Sequence, residues 1–452
     1  MQIKKGAKLD ITIDKVLFPN IGVARIDDQE IRVKNTIPGQ KVQTIIIKKK
    51  KGYYEGRLLE LLEKSPLEDQ PVCIHSGECG GCSYQGILYE KQLEIKEKQV
   101  RELMNNNLTG SYNFYEIVPS PFNKEYRNKM EFSFGDLEKD GILQLGMHPR
   151  DRRFDVITVN QCQLVDNDFR IILRTVLDYF RGHDYKRYHI IEREGYLRHL
   201  VIRKGLKTGE IMVNLVTTSQ EEHDFTELTE LLKGLHLEGN LVSFLQTIND
   251  DYSDTIKCDK LIVHYGREYI MEEILGLNFM ITPFSFFQPN TYGAEKLYQT
   301  ALKFIDNPED KTIYDLYCGT GTISQILAKK AKEVYGIEIN KEAVVIAREN
   351  ARLNNLVNCK FIAGDVLEKI DELIEKPDLI VVDPPRPGIH PKALEKIIEL
   401  GSGEILYISC NPLSLVRDLK ILEEANYRIT DIQCVDMFPY TRHVETVAHL
   451  IK

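Results

Sequence analysis

Cys410 stands between a short apolar run and an Asn-Pro pair, in the stretch "LYISCNPLSL". The run 406–408 predicts a buried strand, and Asn411-Pro412 is a signal that ends one. The thiol is therefore expected at a strand tip, where it can face a cleft and act as a nucleophile. A core thiol is the competing interpretation, because free cysteines are among the most buried residues. This stretch alone leaves both open.

A second group of thiols has the spacing of a metal site. Cys73, Cys79 and Cys82 follow the pattern C-x5-C-x2-C in a glycine-rich segment, and Cys162 lies further along the chain. Four thiolates suit a tetrahedral zinc site or an iron–sulfur cluster, and His75 is a competing ligand. The spacing alone favours zinc, although the five-residue gap fits zinc ribbons poorly. The C-x3-C-x2-C pattern of radical enzymes is absent from the sequence, which favours a structural role.

Glycines and acidic residues indicate a nucleoside-binding cleft. Gly319 and Gly321 follow one predicted strand, and Glu338, Asp365 and Asp383 each end a later one. An acidic residue about 20 positions after such a loop can accept hydrogen bonds from ribose hydroxyls. Each acid alone fits a helix N-cap as well. The loop lacks the full dinucleotide fingerprint and a P-loop lysine, so S-adenosylmethionine is favoured over nicotinamide cofactors and ATP.

The elements that must position these groups alternate between strand and helix from about residue 286 onward. The predicted strands are "KTIYDLYCG", "EVYGIEI", "CKFIAGD", "PDLIVVDPP" and "EILYISC", and the helices are "TISQILAKKA" and "KEAVVIARENARLNNL". This order predicts a doubly wound, parallel α/β sheet of the Rossmann-like type. The carboxyl ends of such strands are where these sheets bind ligands.

Residues 1–62 have a different texture, with short β-like runs separated by turn signals. They predict a five-stranded, oligonucleotide-binding type of barrel. One strand and turn concentrate positive charge beside Tyr53 and Tyr54, on Lys48, Lys49, Lys50 and Lys51. Lysines can neutralise phosphates and tyrosines can stack on bases, so an RNA-binding surface is predicted. A strand edge guarded by lysines is the alternative.

A polar linker, 63–71, leads to a mixed α+β region at 72–285 with the helical run "LYEKQLEIKEKQVRELM" and the strands "HLVIRKG" and "EIMVNLVTT". The expected organisation is therefore multi-domain: a barrel (1–62), a central domain with the cysteine cluster and an RNA-contacting surface (72–285), and an α/β domain (286–452).

The chain of 452 residues has a net charge of −9, which does not exclude nucleic acid because phosphate contacts need only a local basic face. No membrane span and no leader is predicted, so a cytoplasmic location without membrane association is expected. No obligate protein partner is evident. In a reducing compartment the nine cysteines are expected to be ligands, catalytic groups or core residues.

Five segments stand in the order found in 5-methyluridine RNA methyltransferases: "FFQPN", "DLYCGTGT", "DPPRPG", "ISCNP" and "RHVETVAHL". The chain resembles that family over nearly its whole length. It is most similar to the subfamily that begins with a TRAM domain, carries a 4Fe–4S cluster and modifies 23S ribosomal RNA. The resemblance implies a class I methyltransferase that uses S-adenosyl-L-methionine and RNA.

The resemblance also implies a role for each matching residue. Cys410 would be the nucleophile and Glu445 the proton acceptor. The cofactor would be lined by Gln288, Tyr317, Glu338 and Asp383. Thr322 stands where the family often has asparagine, and its hydroxyl could replace one contact of that amide. Asp365 is a further cofactor candidate from its place at a strand end. The cluster ligands would be Cys73, Cys79, Cys82 and Cys162. Arg386 and Arg442 are candidates for lowering the thiol pKa, whereas Asp383 would raise it.

Three alternatives stay open at this point. The same chemistry on a transfer RNA uridine is one. A non-catalytic RNA-binding or iron–sulfur protein with a methyltransferase fold is the second. An amine acceptor is the third, although the D-P-P-R sequence at 383–386 departs from the D-P-P-Y of N-methyltransferases.

Overall fold

The structure is a computed structural model that describes residues 3–139, 141–150, 152, 154–183, 185–372 and 375–452. The strands are β1 (Lys8–Thr12), β2 (Lys15–Leu17), β3 (Ile21–Ile26), β4 (Gln29–Lys34), β5 (Lys41–Lys50), β6 (Tyr53–Glu63), β7 (Asn113–Phe114), β8 (Lys129–Gly135), β9 (Gln144–Met147), β10 (Ile157–Thr158), β11 (Leu197–Lys204), β12 (Glu210–Thr217), β13 (Asn240–Ile248), β14 (Lys260–Gly266), β15 (Ile270–Ile274), β16 (Leu277–Ile281), β17 (Thr312–Leu316), β18 (Glu333–Glu338), β19 (Cys359–Ala363), β20 (Leu379–Val382), β21 (Glu404–Ser409), β22 (Arg428–Val435) and β23 (Glu445–Ile451).

The helices are α1 (Tyr89–Asn105), α2 (Asn167–Arg181), α3 (Thr226–Lys233), α4 (Thr291–Lys303), α5 (Thr322–Ala328), α6 (Lys341–Leu353), α7 (Val366–Lys369), α8 (Pro391–Leu400) and α9 (Pro412–Glu424). Within the described ranges, no helix combines the length and the apolar character needed to cross a membrane.

The chain forms two compact units. Unit A comprises Met1–Val72, Cys82–Ser120 and Asp383–Lys452, and unit B comprises Cys73–Gly81 and Pro121–Val382. Helix α1, which lies in the expected central domain, packs in unit A against α9, and β7 pairs with β22. These units therefore divide the chain differently from the expected domains 1–62, 72–285 and 286–452, which stay a prediction.

The N-terminal strands of unit A form a sheet in the order β1-β5-β6-β4-β3-β2. The first predicted strand bends after Thr12, so that β1 pairs with β5 whereas β2 pairs with β3. One stretch of chain thus joins both edges of the sheet, which closes around a core that includes Ile11, Val33 and Ile46. The prediction of five strands is wrong by one, because this bend splits the first strand in two.

The C-terminal strands of unit A lie in the order β21-β23-β22-β7. Strand β23 runs antiparallel to β21 and to β22, with Ile408 opposite Val447 and Val435 opposite Glu445. The parallel sheet that the alternating strands and helices predict therefore does not extend to β22 and β23. Strands β22 and β23 are joined by the loop 436–444 without a crossover helix, and parallel neighbours require such a crossover.

Unit B contains the parallel part of the predicted α/β sheet, in the order β19-β18-β17-β20. Strand β17 is buried along its whole length, as expected for a central strand covered on both faces. Helix α5 packs near β18 and β19, and α6 packs near β18, β19 and β16. The carboxyl ends of β17, β18 and β19 therefore share one edge, which carries the loops of the predicted cofactor site.

The remainder of unit B is built on a sheet in the order β10-β9-β8-β11-β12-β13-β14. Helices α2 and α3 pack with its strands around a core that includes Phe132, Phe180 and Phe244. Asp166 caps α2, and Lys204 at the end of β11 donates to Asp166 and Asp168 at 2.5 and 2.6 Å. The predicted α+β character of this region is present in the structure.

Candidate active site

The loop after β17 has the backbone conformation that its glycines permit. Tyr317, Gly319 and Gly321 have φ angles of 70°, 55° and 77°. A Cβ added at Gly321 would lie 2.5 Å from the Phe361 ring, whereas one added at Gly319 would meet no atom within 4 Å. Gly321 is thus required for packing, and the Gly319 side of the loop is open to a ligand.

Glu338 ends β18 and fixes this loop. Its Oε2 accepts a hydrogen bond from the Gly319 N–H at 3.1 Å, and its Oε1 accepts one from the Asn340 N–H at 2.8 Å. A carboxylate oxygen has two lone pairs, so each can still accept a ribose hydroxyl. The structure is therefore compatible with the predicted nucleoside contact at Glu338.

The "FFQPN" segment lies beside the same loop in unit B. Thr320 Oγ1 donates to the Phe286 carbonyl at 3.2 Å, and Asn128 Nδ2 donates to the Gln288 carbonyl at 2.9 Å. Gln288 itself is buried, and so is Thr322, the first residue of α5. The Asn128 amide therefore holds the Gln288 backbone, and Thr322 directly follows the glycine loop.

Asp365 caps α7, because its Oδ1 accepts the Leu367 N–H at 2.9 Å. This is the ordinary N-cap geometry, and a cofactor contact of Asp365 stays a prediction. Sequence reasoning missed Asp315, which is fully buried within β17 and accepts a short hydrogen bond from Ser324 of α5. Burial raises its pKa to about 7. The sequence did contain a signal for Asp315, since an acidic residue within an apolar strand directly before the glycine loop is unusual.

Cys410 lies where the sequence predicts it, between the end of β21 and the start of α9. The Asn411 side chain caps α9 and also donates from Nδ2 to the Arg386 carbonyl at 2.8 Å. Ser414 Oγ donates to that carbonyl as well, at 3.1 Å. The α9 N-terminus therefore fixes the backbone of Arg386 close to the thiol.

Glu445 is the first residue of β23 and is only 3% exposed. It is therefore not a solvated carboxylate on a late strand. Burial and then the negative charge of Asp383 raise its pKa to about 8, with the positive charge of Arg386 acting in the opposite direction. Around neutral pH this carboxyl group is mostly protonated in the protein without substrate.

The pKa of Cys410 is raised to about 11, mainly by burial and then by the charges of Glu445 and Asp383. Arg386 is the group that lowers it, as the sequence suggested, and Asp383 acts in the expected opposite direction. Arg442, the other candidate, is exposed and is not among the charges that shift the Cys410 pKa; it only partly opposes the rise in the pKa of Tyr84 that burial causes. Cys410, Glu445, Asp383 and Arg386 thus form one electrostatic group in unit A, in which the thiol is protonated at rest.

Three cysteines of the motif belong to unit B. The charge of Cys73 raises the pKa of Cys79, and Cys73 and Cys79 both raise that of Cys162, although burial is the largest cause for each. Backbone N–H groups of Gly81 and Leu164 donate to Cys79 and Cys162. Over the described parts of the chain, no group of three or more His, Cys, Asp or Glu residues has the arrangement of a metal site.

His75, the competing ligand, has its Nε2 placed 3.3 Å from the Gln161 N–H. That ring nitrogen therefore already serves as an acceptor. Cys82 belongs to unit A, where Gln85 Nε2 lies 3.8 Å from its Sγ.

The predicted basic surface is present only in part. Lys48, Lys49 and Lys51 are exposed, and Lys50 lies 4.0 Å from Glu55. Tyr54, however, is buried in the barrel core, and the guanidinium of Arg32 lies 3.9 Å above the Tyr53 ring. Base stacking on Tyr54 is therefore wrong, because its ring packs inside the sheet.

The parallel sheet, the glycine loop and the acid that ends β18 define a methyltransferase that uses S-adenosylmethionine. Residues 88–452 match the family described as tRNA (Uracil-5-)-methyltransferase, and the chain belongs to it. It is therefore an RNA (uracil-5-)-methyltransferase, and the predicted enzyme class is confirmed. An amine acceptor is wrong, because this family methylates uracil.

Relatives cover the whole chain. An uncharacterized RNA methyltransferase of Clostridium tetani is 52% identical over 450 residues, covering 100% of this chain and 99% of that protein. One from Caldanaerobacter subterraneus is 45% identical over 448 residues, covering 99% of both. The Pyrococcus abyssi tRNA (uracil-54, C5)-methyltransferase, solved with S-adenosyl-L-homocysteine, is 28% identical with a TM-score of 0.77, covering 98% of this chain and 100% of its own.

The pKa directions predict how Cys410 reacts with iodoacetamide. Because the thiolate is the reactive form, alkylation should be slow at neutral pH and rise as the pH approaches about 11. Glu445→Gln removes a negative charge that forms near pH 8, so the rate curve should move to lower pH. Arg386→Gln removes a positive charge and should move it to higher pH. Mass spectrometry of the Cys410 peptide gives the rate.

The exposed Cys258 is the internal control, since its rate should be the same in all three proteins. Superimposable Cys410 curves for wild type and Glu445→Gln would show that the carboxylate does not act on the thiol.

Proposed function

We propose that this enzyme methylates carbon 5 of a uridine in RNA through a covalent intermediate, with Cys410 as nucleophile and Glu445 as base. The observation that supports this most is the pairing in unit A of the half-buried Cys410 thiol with the buried Glu445 carboxylate, whose charge raises the pKa of that thiol. Neither Cys410 nor Glu445 is fully solvated at the surface. Burying a carboxylate beside a second acid, Asp383, is costly, so a core built only for stability would not contain one.

The reaction needs both groups because carbon 5 of uracil is a weak nucleophile. The Cys410 thiolate adds to carbon 6, and the ring becomes an enolate. Carbon 5 then attacks the methyl carbon of S-adenosylmethionine, and S-adenosylhomocysteine leaves. Glu445 next takes the hydrogen of carbon 5 as a proton. The electrons of that C–H bond re-form the double bond between carbons 5 and 6, and the thiolate is expelled.

The raised pKa of Glu445 suits this role. A general base is most effective when its pKa lies near the working pH, and burial with Asp383 moves Glu445 toward that range. Cys410 must lose a proton before it attacks, and Arg386 is the positive charge that favours the thiolate. The loss of the thiol proton is therefore expected to accompany substrate binding.

S-adenosylmethionine would lie over the open side of Gly319. Glu338 would accept its ribose hydroxyls, and Tyr317, Gln288 and Thr322 would line the rest, with Asp383 and Asp365 as further contacts. The room above Gly319 and the second lone pairs on Glu338 fit a nucleoside there. When bound, this cofactor supplies an electrophilic methyl group.

For the RNA, we propose 23S ribosomal RNA in the cytoplasm. The support is the closed N-terminal barrel and the cysteine motif, which this chain shares with the ribosomal subfamily that it resembles. Transfer RNA is a second candidate, because the P. abyssi protein of similar fold is named for uracil 54 of tRNA.

The exposed lysines of the barrel, Lys48, Lys49 and Lys51 with Lys50, would contact phosphates. Point charges of this kind position an RNA without reading its sequence. The barrel would therefore contribute affinity and placement, whereas the chemistry belongs to Cys410 and Glu445.

We also propose that Cys73, Cys79, Cys82 and Cys162 ligate a 4Fe–4S cluster with a structural role. The electrostatic coupling of Cys73, Cys79 and Cys162 and the N–H groups directed at two of the sulfurs support it. Such hydrogen bonds are among the features that tune protein-bound clusters.

Glu445→Gln should stop the reaction after methyl transfer, because the amide cannot take the carbon-5 proton. A covalent protein–RNA species carrying the labelled methyl group should accumulate and survive denaturing electrophoresis. Cys410→Ala is the matched control: it should form neither adduct nor product while S-adenosylmethionine affinity, measured by calorimetry, stays the same. Normal turnover by Glu445→Gln would assign the base to another group.

The target is tested with RNA from cells that lack this protein. Labelled methyl groups should enter 23S ribosomal RNA from such cells and not their transfer RNA. Incorporation into transfer RNA alone would establish the second candidate.

Methyl incorporation into ribosomal RNA also tests whether the barrel lysines bind RNA. Replacing Lys48, Lys49, Lys50 and Lys51 by glutamine should raise KM for ribosomal RNA while kcat stays constant. The salt dependence of binding should flatten by about 0.7 for each lost phosphate contact on single-stranded RNA. If the lysines only guard a strand edge, the variant aggregates and the salt slope does not change.

Iron content tests the cluster. Protein purified without oxygen should be brown in solution and contain about four irons per chain. Cys79→Ser should lose the iron, whereas Cys258→Ser, a matched change at an exposed cysteine, should keep it. Stoichiometric zinc without iron in the wild type would contradict the cluster.

A further inference from the structure

Helix α1 buries a row of polar side chains. Gln92, Lys96 and Gln99 lie on one face of the helix, at the spacing i, i+4 and i+7, and are 0%, 0% and 5% exposed. Lysine is almost never fully buried unless it is paired. A helix that packs only for stability would present apolar residues on this face, so these polar groups must be there to make specific contacts.

Lys96 makes its contacts with the loop 436–444 between β22 and β23. Its Nζ donates to Asp436 Oδ1 at 2.7 Å and to the Phe438 carbonyl at 3.0 Å, and both charged side chains are completely buried. Asp436 Oδ2 is also buried and has no hydrogen-bond partner among the described residues. Lys96 is thus the positive charge that compensates Asp436, and its hydrogen bond to the Phe438 carbonyl also fixes the loop backbone.

Gln92 holds the same loop one helical turn away. Its Oε1 accepts the Tyr440 N–H at 2.7 Å, and its Nε2 donates to the Ile87 carbonyl at 2.8 Å. Tyr440 has a φ of 64°, a left-handed conformation that is costly for a residue with a Cβ. The contact with Gln92 helps to keep this conformation.

The held loop leads directly to Glu445. Asp436 follows Val435, and Val435 is the residue opposite Glu445 in the β22–β23 ladder. At the other end of the loop, both the N–H and the hydroxyl group of Thr441 donate to the Phe438 carbonyl. The oxygen of that hydroxyl in turn accepts the His443 N–H. A chain of hydrogen bonds therefore runs from Lys96 to within two residues of Glu445.

We propose that Lys96, with Gln92, is a positioning residue for the methylation reaction, because it holds the loop that presents Glu445 to carbon 5 of the uracil. Stability alone does not account for the pair, since apolar residues of similar volume are often as stabilising as a buried ion pair. The hydrogen bonds set the geometry of the loop, and a base displaced by about 1 Å can cost on the order of 100-fold in rate.

This inference rests on the proposed role of Glu445, and it predicts a specific kinetic defect. Lys96→Met should slow proton removal from carbon 5 while leaving the addition of Cys410 and methyl transfer largely intact. Turnover per folded molecule should fall by on the order of 100-fold. The methylated protein–RNA adduct should accumulate, as is expected for Glu445→Gln.

The folded fraction of unit A is measured as the fraction of molecules in which Cys434, buried in β22, resists alkylation by iodoacetamide without denaturant. Because Lys96→Met leaves Asp436 as an uncompensated buried charge and can unfold, the double variant Lys96→Met with Asp436→Asn is made in parallel. It removes that charge, keeps an oxygen for the Phe438 N–H and still lacks the donor to the Phe438 carbonyl. Lys91→Met, on the exposed face of α1 where Lys91 contacts Glu94, is the matched control.

Adduct accumulation in the folded Lys96 variants, with wild-type behaviour of Lys91→Met, supports the inference. A rate that falls only in proportion to the folded fraction, without adduct, would show a purely structural role and overturn it. An adduct in Glu445→Gln alone means that this inference fails while the proposed function stands. Absence of adduct in Glu445→Gln removes Glu445 as the base and the inference with it.

Discussion

The burial of a carboxylic acid at the start of β23 is the constraint on which the active site depends. Glu445 is removed from water beside a second acid, Asp383, and its pKa rises to about 8 as a result. Such a group is costly to bury as an ion, so the surrounding structure must supply what water no longer does. Arg386 supplies the compensating charge, and its own backbone is fixed by Asn411 and Ser414 at the start of α9.

The base role that we propose for Glu445 would account for the polar groups that are buried elsewhere in unit A. A base that acts on one carbon atom must be placed to a fraction of an ångström, and directional hydrogen bonds define position better than apolar contacts do. The ion pair of Lys96 and Asp436 and the amide of Gln92 meet that need, at the expense of desolvating a lysine. In unit B, Glu338 fulfils a comparable role, because it fixes the glycine loop through two backbone N–H groups.

The strands and helices around the glycine loop could be predicted from sequence because each is a local pattern. The buried apolar runs that lead to Gly319, Glu338 and Cys410 can be recognised without knowing which strands they pair with. These three residues follow or end strands, as expected. The bend that splits the first strand, the antiparallel pairing of β23 and the burial of Tyr54 depend on partners far along the chain. The raised pKa of Cys410 could not be predicted from the sequence either, because it depends on the burial of the thiol and on the positions of Glu445, Asp383 and Arg386 around it.

Unit A is assembled from three pieces of chain, and this has a consequence for its biosynthesis. Strand β7 pairs with β22, and the N–H groups of Ser83 and Tyr84 both donate to the carbonyl of Tyr440. These partners are separated by more than 300 residues, so the ribosome must make nearly the entire polypeptide before they can meet. Unit B, whose main segment runs uninterrupted from Pro121 to Val382, can fold while synthesis continues. The nascent chain would therefore form the strands around the glycine loop before the final residues complete the elements that carry Cys410 and Glu445. An incomplete polypeptide released by the ribosome would lack the catalytic pair that we propose.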